Sequence, residues 1–573
     1  MGIPKVLLIS LCWWAMASTS KAQSTYIPLG NDAYHTIDRV EIKGSLVSND
    51  LHTSTKPYNR LNAVIHTESV DDMEGVYFKG IDRYNHHYVY KDNSEWSMFG
   101  AIKSKKTLGK QLYKYQSDFL FLKDFDDFWI KGNPVFQFQL GKEFGVDGLQ
   151  YINSKGAEIR GMVSEKLGFY SLITDNQMSL YQQVYENYAR QGVLPGAARY
   201  KSFISSVGDD LFVYGVDYYT AKGYVTFQPI ERIRMQFGHD KNFIGNGIRS
   251  LFLSDFGADY LFLKINSQFW KLQYQNLFME LTEQFDGFPE GLLPRKYAAM
   301  HHLSINVTKW LNLGAFESVV FDRQQGYDLQ YLNPIIFYRW VEHQLGSPDN
   351  VLIGFDFKAN FLQHFSCYGQ LLLDEFSFGH LMDNDGWWAN KYGWQLGLKY
   401  IDVFNVSNLD LQLELNRVQP YTYSHYTTGS NYSHYNQALA HPLGANFKEA
   451  LAKVYYRPHQ QITVRLQAMY AQYGADADTS YNWGQNILTL NTSHEQDFDN
   501  TVAQGELTTV TMAKATLTYM PKHNLFFDLT GTYRKSISAV SKWDNTTQFV
   551  ALGMRLNLTT KDYWFKELIL MFQ

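Results

Sequence analysis

The sequence is poor in the features that stabilise or anchor many proteins of its size. It has two cysteines in 573 residues, Cys12 and Cys367, and the first lies in an N-terminal apolar segment expected to be removed. One remaining thiol cannot form an internal disulfide, so stability has to come from packing or sheet closure. After that segment no apolar run approaches the ~20 residues of a membrane helix. There is also no Pro/Ser-rich linker and no short-period repeat, which favours one long, uniform unit.

The sequence also lacks an excess of positive charge and any catalytic motif in a supporting context. A formal net charge of -5 leaves no basic stripe to neutralise phosphates, so we expect no nucleic-acid partner. The adjacent carboxylates Asp374 and Glu375, and the adjacent His301 and His302, point to opposite faces of a strand and cannot act as pairs. We therefore expect no enzyme, no cofactor and no metal site. A scattered Ser/His triad on a barrel wall is the remaining enzymatic alternative.

The N-terminus has the three parts of a secretory signal peptide. Lys5 precedes an apolar core at residues 6–17, and Ser20 and Ala22 are the small residues that signal peptidase requires. A lipoprotein alternative through Cys12 is disfavoured, because Leu11 precedes it where a small residue is needed. The sequence therefore predicts export, with residues 1–22 removed.

What the sequence has in abundance is aromatic residues, 16% of the chain, and alternation of apolar with polar residues. In residues 409–416 leucine occupies every second position, which puts the leucines on one face of a strand. The same period recurs at 136–141, 462–467 and 550–558. Residues 563–573 are typical of the aromatic last strand of an outer-membrane barrel. We predict an all-β fold, a transmembrane antiparallel β-barrel of roughly 16 to 18 strands with short lumenal or periplasmic helices. A large soluble β protein is the alternative.

Three stretches depart from the strand pattern. Residues 23–75 contain a cap at Asn31-Asp32 for one short helix and a second possible short helix after Arg60, which predicts a periplasmic or lumenal helical segment, with the barrel over residues 76–573. Helical insertions into the barrel are predicted near residues 176–200 and 327–350. In the second insertion Asn333 can cap and Pro334 can begin a helix too short to span a membrane. We expect that helix inside the lumen, as part of a plug, or over one mouth.

The densest polar sequence, residues 238–264, surrounds the turn signal Gly245-Asn246-Gly247. It is interpreted as either a structural turn or a ligand-binding or gating constriction. The candidate lumen or glycan contacts are Asp240, Asn242, Asn246, Arg249, Asp255, Arg339, Glu342, Asp374, Glu375, Trp387 and Trp388. Further candidates for stacking on sugar rings are Tyr421, Tyr423, Tyr426, Tyr432 and Tyr435. The alternative roles are internal salt bridges for the charged residues and loop packing or membrane girdles for the aromatic ones.

Several sequence words occur in the order of a known family. They are LPGAARYKSF, AKGYVTFQP, GHDKNFIGNGIRSLFLSDF, YLNPIIFYRWVEHQLGSPDNVLIGFDF and YGQLLLDEF. In these words the chain resembles the Wzi-like capsule assembly family of outer-membrane barrels, in the Bacteroidetes branch of the gliding motility protein RemB type. The resemblance implies a barrel whose lumen is partly filled by helices, displayed at the surface of a Gram-negative cell and associated with surface polysaccharide or with gliding.

These observations lead to one expected function and two alternatives. The expected function is a non-enzymatic outer-membrane barrel at the cell surface that binds or organises capsular or exopolysaccharide and is linked to gliding motility. Its expected partners are outer-membrane lipid, surface polysaccharide and other envelope or gliding proteins. The alternatives are a structural component of a gliding or secretion complex, and a porin-like channel, which needs an open lumen.

Overall fold

The computed structural model describes residues 24–71, 73–97, 102–103, 112–124, 128–164, 166–179, 193–206, 212–284, 291–323, 326–346, 349–539 and 544–559. Three predictions lie outside the described residues. They are the signal peptide at 1–22, the helical stripe of Tyr181, Tyr185 and Tyr188 in the insertion near 176–200, and the aromatic C-terminal strand at 563–573. The described residues 176–179 continue a strand.

The architecture is a closed antiparallel β-barrel of 18 strands, which confirms the predicted fold class and strand number. The first nine strands are β1 (Phe128–Glu143), β2 (Gln150–Val163), β3 (Leu167–Ser179), β4 (Phe212–Ile230), β5 (Ile233–Asp240), β6 (Tyr260–Phe269), β7 (Leu272–Thr282), β8 (Arg295–Asn306) and β9 (Leu311–Phe321). The others are β10 (Asn350–Phe361), β11 (Phe365–Leu373), β12 (Tyr392–Tyr400), β13 (Leu409–Val418), β14 (Phe447–His459), β15 (Ile462–Ala475), β16 (Glu506–Lys522), β17 (Leu525–Ser538) and β18 (Asn545–Leu556). β18 pairs with β1 and closes the barrel.

Alternation of side chains sorts the residues of each strand between lumen and exterior. On β13, Leu413 and Leu415 are exposed on the outside, while Glu414 and Asn416 are buried in the lumen. The neighbouring His301 and His302 also separate, since His302 contacts the lumenal Asp356 and His301 faces outward beside Tyr338. Over the described part of the chain no helix is long and apolar enough to cross a membrane.

The two ends of the barrel differ in the length of their connections. Short turns join the strands at one end, for example at residues 231–232, 270–271 and 523–524. Long connections lie at the other end, at residues 241–259, 322–349, 374–391, 419–446 and 476–505. Outer-membrane barrels have short periplasmic turns and longer extracellular loops. On this basis we predict that the end with the long connections is the extracellular end.

A helical plug, residues 24–97, fills the lumen at the end with the short turns. It contains the two predicted helices, α1 (Ala33–Gly44) and α2 (Arg60–Asp71), and a third helix, α3 (Gly80–Asp92), where we expected strands to begin at about residue 76. In α3 the buried residues Asp82, Asn85, His86 and Val89 recur at the helical spacing. They are mostly polar and pack against polar lumenal residues, so hydrophobic periodicity did not reveal the helix. A short strand, Leu120–Asp124, pairs with the beginning of β1, and the first of the 18 wall strands therefore begins at Phe128.

Buried ion pairs hold the plug against the wall. Arg39 of α1 contacts Asp410 of β13, Asp402 in the turn before β13, and Asp82 of α3; its Nη2 lies 2.9 Å from Asp402 Oδ1 and 2.7 Å from Asp82 Oδ1. Other pairs between plug and wall are Asp32 with Arg465, Asp38 with Lys399, and Glu41 with Lys358. Removing one member of such a buried set leaves charges without compensation, which costs far more than losing a surface pair.

The insertion at 327–350 also differs from the prediction. Its helix, α4, spans Tyr338–Gln344 with Phe337 at the N-cap, and Asn333 instead accepts a hydrogen bond from the backbone N–H of Ile335. The helix lies neither in the lumen nor over a mouth. Tyr338 and Val341 pack on Ala299 and Val319, which point outward from β8 and β9. The sequence could not distinguish these locations, because this part of the wall has apolar residues on both faces.

Arg39→Ala tests the ion pairs that hold the plug. We expect the free energy of local unfolding of the plug to fall by roughly 3–5 kcal/mol, because Asp82, Asp402 and Asp410 lose their shared cation. Protease cleavage within residues 24–97 of the folded barrel should accelerate by at least about 100-fold. The control is Arg295→Ala, which removes an exposed pair with Glu280. Equal cleavage rates for the two variants would contradict the role of Arg39.

Candidate functional site

The polar stretch that stands out in the sequence folds inward as a lumenal loop, residues 241–259, between β5 and β6. Its candidate residues Asn242, Asn246 and Arg249 are buried. Glu414 of β13 accepts hydrogen bonds from the backbone N–H groups of Ile248 (2.6 Å) and Arg249 (3.0 Å). A wall carboxylate thus fixes the loop across the lumen.

Arg249 extends this network to the neighbouring strand, β14. Its Nη2 lies 3.1 Å from Glu449 Oε1, and Glu449 Oε2 lies 2.9 Å from His441 Nε2. Asn416 donates hydrogen bonds to both Glu414 and Glu449. These groups satisfy one another, so the contacts made by Arg249 are those of a structural anchor.

The two glycines of the turn allow the loop to approach the wall closely. A Cβ at Gly247 would lie 2.5 Å from Glu414 Oε2. Gly245 has a φ of 147°, and a Cβ there would lie 2.8 Å from Gln370 Nε2. The turn signal in the sequence therefore marks a close contact between loop and wall.

A cavity of about 370 Å³ lies in the lumen between the plug and the lumenal loop. The candidates Asp240 and Asp255 line it. Asp240 pairs with Lys222 of β4 at 2.5 Å, and Asp259 shares the same lysine at 3.2 Å. Both signs of charge line the cavity, including Lys56, Lys399, Asp38 and Asp32. It is a charged internal chamber, also lined by Asn246, and the candidate residues of the connections 322–349 and 374–391 do not line it.

The connection at 419–446 folds back into the barrel and closes the lumen from the extracellular side. Tyr423 and Tyr432 are buried, and their hydroxyls donate to the backbone oxygens of Leu251 (2.9 Å) and Phe252 (2.7 Å) in the lumenal loop. Tyr421 is also buried and donates to the backbone oxygen of Asn482. Three of the tyrosines predicted to stack on sugars therefore face inward, because their hydroxyls bond buried carbonyls. Tyr426 remains exposed.

The connections 374–391, 419–446 and 476–505 form one extracellular cap. The backbone N–H of Trp388 donates to the oxygen of Asp497 (2.8 Å), and that of Asp499 donates to the oxygen of Asp385 (2.8 Å). Backbone hydrogen bonds between separate loops restrict their motion. The cap is therefore a defined surface rather than a set of independent loops.

The candidates Trp387 and Trp388 lie on this cap within a group of aromatic rings. Trp388 stacks on His494 with ring centroids 4.1 Å apart, and Trp387 stacks on His380 at 4.5 Å. His380 also contacts the exposed Phe498 at 6.0 Å. We refer to these five side chains as the cap aromatic cluster. Both tryptophans retain partial exposure to solvent.

The remaining candidates occupy two further places. Asp374 and Glu375 lie at the base of the cap, where Asp374 accepts a hydrogen bond from the backbone N–H of Tyr423 (2.7 Å) and Glu375 pairs with Lys391 at 3.3 Å. Arg339 and Glu342 pair with each other at 3.1 Å on α4, outside the barrel. The candidates thus fall at the lumenal loop, the chamber, the cap and the outer wall, and they do not converge on one site.

Sequence reasoning missed the partners that organise these places. Alternation put Glu414 in the lumen, but no local signal connected it with the turn at Gly247 or with Glu449 and His441. Likewise no sequence pattern indicated the contact between Trp388 and His494, which lies about a hundred residues further along the chain. Within the described ranges there is no group of three or more His, Cys, Asp or Glu side chains placed to hold a metal ion.

Comparisons with known proteins give the fold. No family model and no curated protein matches the chain. Among solved structures, Wzi of Escherichia coli aligns over 95% of this chain and 100% of its own, with 11% identity and a TM-score of 0.54. It is described as an outer-membrane protein involved in group 1 capsule assembly and as a carbohydrate-binding β-barrel. The chain has the fold of an outer-membrane β-barrel. OprD of Pseudomonas aeruginosa (11% identity, TM-score 0.41) and OccAB1 of Acinetobacter baumannii (10%, 0.39) each align over 74% of this chain and over 94% and 96% of theirs. The finer resemblance to the RemB branch stays a prediction.

The pH dependence of the cap tests the environment of Asp374. Burial raises the pKa of this carboxyl to about 7, neighbouring Glu375 adds to the rise, and Lys391 opposes it. An acid whose pKa is higher in the folded than in the unfolded protein, where it is about 3.9, destabilises the fold increasingly as the pH rises from about 4 to 7. Asp374→Asn should therefore stabilise the cap at pH 8 by about 1–2 kcal/mol, with no gain at pH 4.

Protease cleavage within residues 419–446, normalised to an unfolded reporter at each pH, measures this effect. The variant should be cleaved roughly 5–30-fold more slowly than the wild type at pH 8. Asp497→Asn, at a cap position whose side chain is 68% exposed, is the control. Faster cleavage of Asp374→Asn at pH 8 would show that the ionised carboxylate stabilises the cap.

The lumen geometry also predicts electrical behaviour. The plug, the lumenal loop and the connection at 419–446 lie one above another across the barrel, so we expect the full-length protein to show no steady conductance in a planar bilayer. A preparation of an open porin at the same protein-to-lipid ratio is the control. A steady open level would contradict this prediction and favour the channel alternative.

Proposed function

We propose that the protein is a non-enzymatic barrel of the cell surface that binds or organises surface polysaccharide through its extracellular cap. The observation that carries this proposal is the cap aromatic cluster, in which two partly exposed tryptophans are held in fixed orientation by stacked histidines. The similarity of fold to Wzi, a carbohydrate-binding barrel, supports the same class of ligand.

Sugar recognition needs apolar faces next to hydrogen-bonding groups, and the cap supplies both. The C–H face of a pyranose packs on an aromatic ring, while its hydroxyls require acceptors and donors. Asp497 is exposed next to His494, and Asp385 and Asn500 lie in the same interloop contact. A rigid binding surface also avoids the entropic cost of ordering loops when the ligand binds.

The lumen is the weaker location for glycan binding. Its chamber is lined by the plug, the lumenal loop and the wall, and charged groups within it pair with one another, as Lys222 does with Asp240 and Lys399 with Asp38. A polymer could reach it only if buried contacts such as those of Glu414 and Arg249 were broken. We therefore assign polysaccharide to the cap.

The double variant Trp387→Ala, Trp388→Ala tests the proposal. We expect binding of surface polysaccharide to reconstituted protein to weaken by at least about tenfold, since truncation of central aromatic residues commonly costs 2 kcal/mol or more. Phe498→Ala, which removes an exposed ring at the margin of the cluster, should weaken binding to a smaller extent. The matched control is Trp270→Ala, which removes an exposed tryptophan at the opposite end of the barrel.

Cells that carry these variants give the second readout. Retention of labelled polysaccharide on the cells should follow the binding data, with folding verified by protease resistance. Unchanged binding and retention in the double variant would contradict the proposal. Colony spreading is scored beside retention: normal retention with lost spreading would favour a role in a gliding complex instead.

A further inference from the structure

The connection between β9 and β10 carries a segment that lies on the outer face of the barrel. We call residues 326–346 the lateral loop. Its buried side chains Tyr331, Tyr338 and Val341 pack on outward-facing wall residues, namely Phe278, Tyr297, Ala299, Val319, Phe321 and Val351. An extracellular connection thus turns down over the wall that faces lipid in an outer-membrane barrel.

The lateral loop covers polar residues of that wall. His301 and Glu317 are paired in register on β8 and β9 and both point outward. Glu317 accepts a hydrogen bond from the backbone N–H of Arg339 (3.0 Å), and the His301 ring lies 3.9 Å from the Tyr338 ring. Below them, Tyr274 donates to the backbone oxygen of Pro334 (2.6 Å). Ionisable residues facing hydrocarbon are costly, and the loop supplies their cover.

Strand geometry gives the depth of this contact. His301 and Asn306, at the turn end of β8, are separated by about 17 Å of strand at ~3.4 Å per residue. With a tilt of about 40°, this is about 13 Å along the barrel axis, or half of an apolar band ~25 Å tall. Exposed aromatic residues at the turn end, Trp270 and Trp310, mark the inner margin of that band. The lateral loop therefore covers the outer half of the wall.

The side of the lateral loop that faces away from the barrel is apolar where the loop lies furthest from the extracellular end. Ile335 and Phe337, which follow Pro334 at this depth, are 82% and 76% exposed, and Trp340 is 59% exposed. The uncovered wall continues beside and below it with exposed Leu303, Leu313 and Phe355. Within the described residues, the exposed apolar side chains of the loop and of the wall beside it form one apolar band.

Polar side chains appear as the segment rises towards the extracellular end. Arg339, His343 and Gln344 are exposed on α4, and Arg339 is neutralised by Glu342. Arginine and tryptophan are typical of the boundary between hydrocarbon and headgroups, where their apolar parts stay in lipid and their polar ends reach water. The order of residues along the loop matches the polarity gradient of an outer leaflet.

We propose that the lateral loop is embedded in the outer leaflet of the membrane. Ile335 and Phe337 contact lipid acyl chains, the Arg339 guanidinium extends towards the headgroups beside Glu342, and the loop replaces lipid over His301 and Glu317. The occupant of the apolar face is lipid, because this face continues the lipid-facing wall at the same depth.

Fluorescence quenching by brominated lipid tests the depth of the loop. Single cysteines replace Ile335 or Phe337 in a full-length Cys12→Ala, Cys367→Ala background, carry a bimane label, and are reconstituted into phosphatidylcholine vesicles with or without dibrominated acyl chains. Phe355→Cys on the uncovered wall and Phe498→Cys on the cap are the two controls. Two independent positions in the loop protect the test against a single variant that does not fold, and β-sheet circular dichroism verifies each preparation.

We expect brominated acyl chains to quench both loop labels to the same extent as the label at residue 355, and iodide in the water to quench only the label at 498. Loop labels quenched by iodide and not by brominated lipid would overturn the proposal. Loop labels shielded from both quenchers, with disulfide cross-links between copies when the unlabelled cysteine variants are oxidised with copper phenanthroline, would also overturn it and identify a second copy as the occupant.

Discussion

Pairing of every backbone N–H and C=O across a closed sheet is the constraint on which the other features of this molecule depend. β18 pairs with β1 from Phe549 opposite Glu143 to Leu556 opposite Phe136, and this pairing leaves neither strand as a free edge. Because side chains alternate across the sheet, closure also decides which half of the wall residues faces the lumen. Charged residues such as Glu414 and Arg465 are placed inside, where each needs a partner.

The plug and the lumenal loop, which lie inside the barrel, supply those partners. Further contacts link these two elements to each other and to the cap. The plug gives Asp32 to Arg465, and the lumenal loop gives two backbone N–H groups to Glu414. A short ribbon, Thr55–Lys56 paired with Phe243–Ile244, joins the plug to the lumenal loop. Tyr423 then joins the lumenal loop to the cap through the backbone oxygen of Leu251. A continuous chain of contacts therefore runs through the lumen from the turn end to the extracellular surface.

Local periodicity made the strands of the wall predictable. The positions of the plug, the lumenal loop and the lateral loop depend instead on contacts between distant residues, which no sequence pattern indicates. The leucines at 409–415 identified a strand and its two faces without any knowledge of its neighbours. The partner of Glu414 lies 165 residues away at Arg249, and no pattern in either segment indicates the other. The helix of the lateral loop was expected in the lumen or over one mouth for a related reason. An apolar helix fits against either face of a wall, and only the register of β8 and β9 shows that Ala299 and Val319 point outward.

The strained backbone of the cap shows why its outer surface depends on the interior. Tyr421 and Tyr423 have φ values of 65° and 74°, in the left-handed region that bulky residues rarely adopt. Such a conformation persists only where surrounding contacts determine it. Their hydroxyls provide those contacts, one to Asn482 in the neighbouring connection and the other to Leu251 in the lumenal loop. Tyr421 in turn packs edge-on against Trp388, with ring centroids 6.1 Å apart. Tyr423 anchors the same connection to a loop inside the barrel, so the position of Trp388 on the cap depends on the interior, and a glycan-binding surface built on this cap would be formed before its ligand arrives.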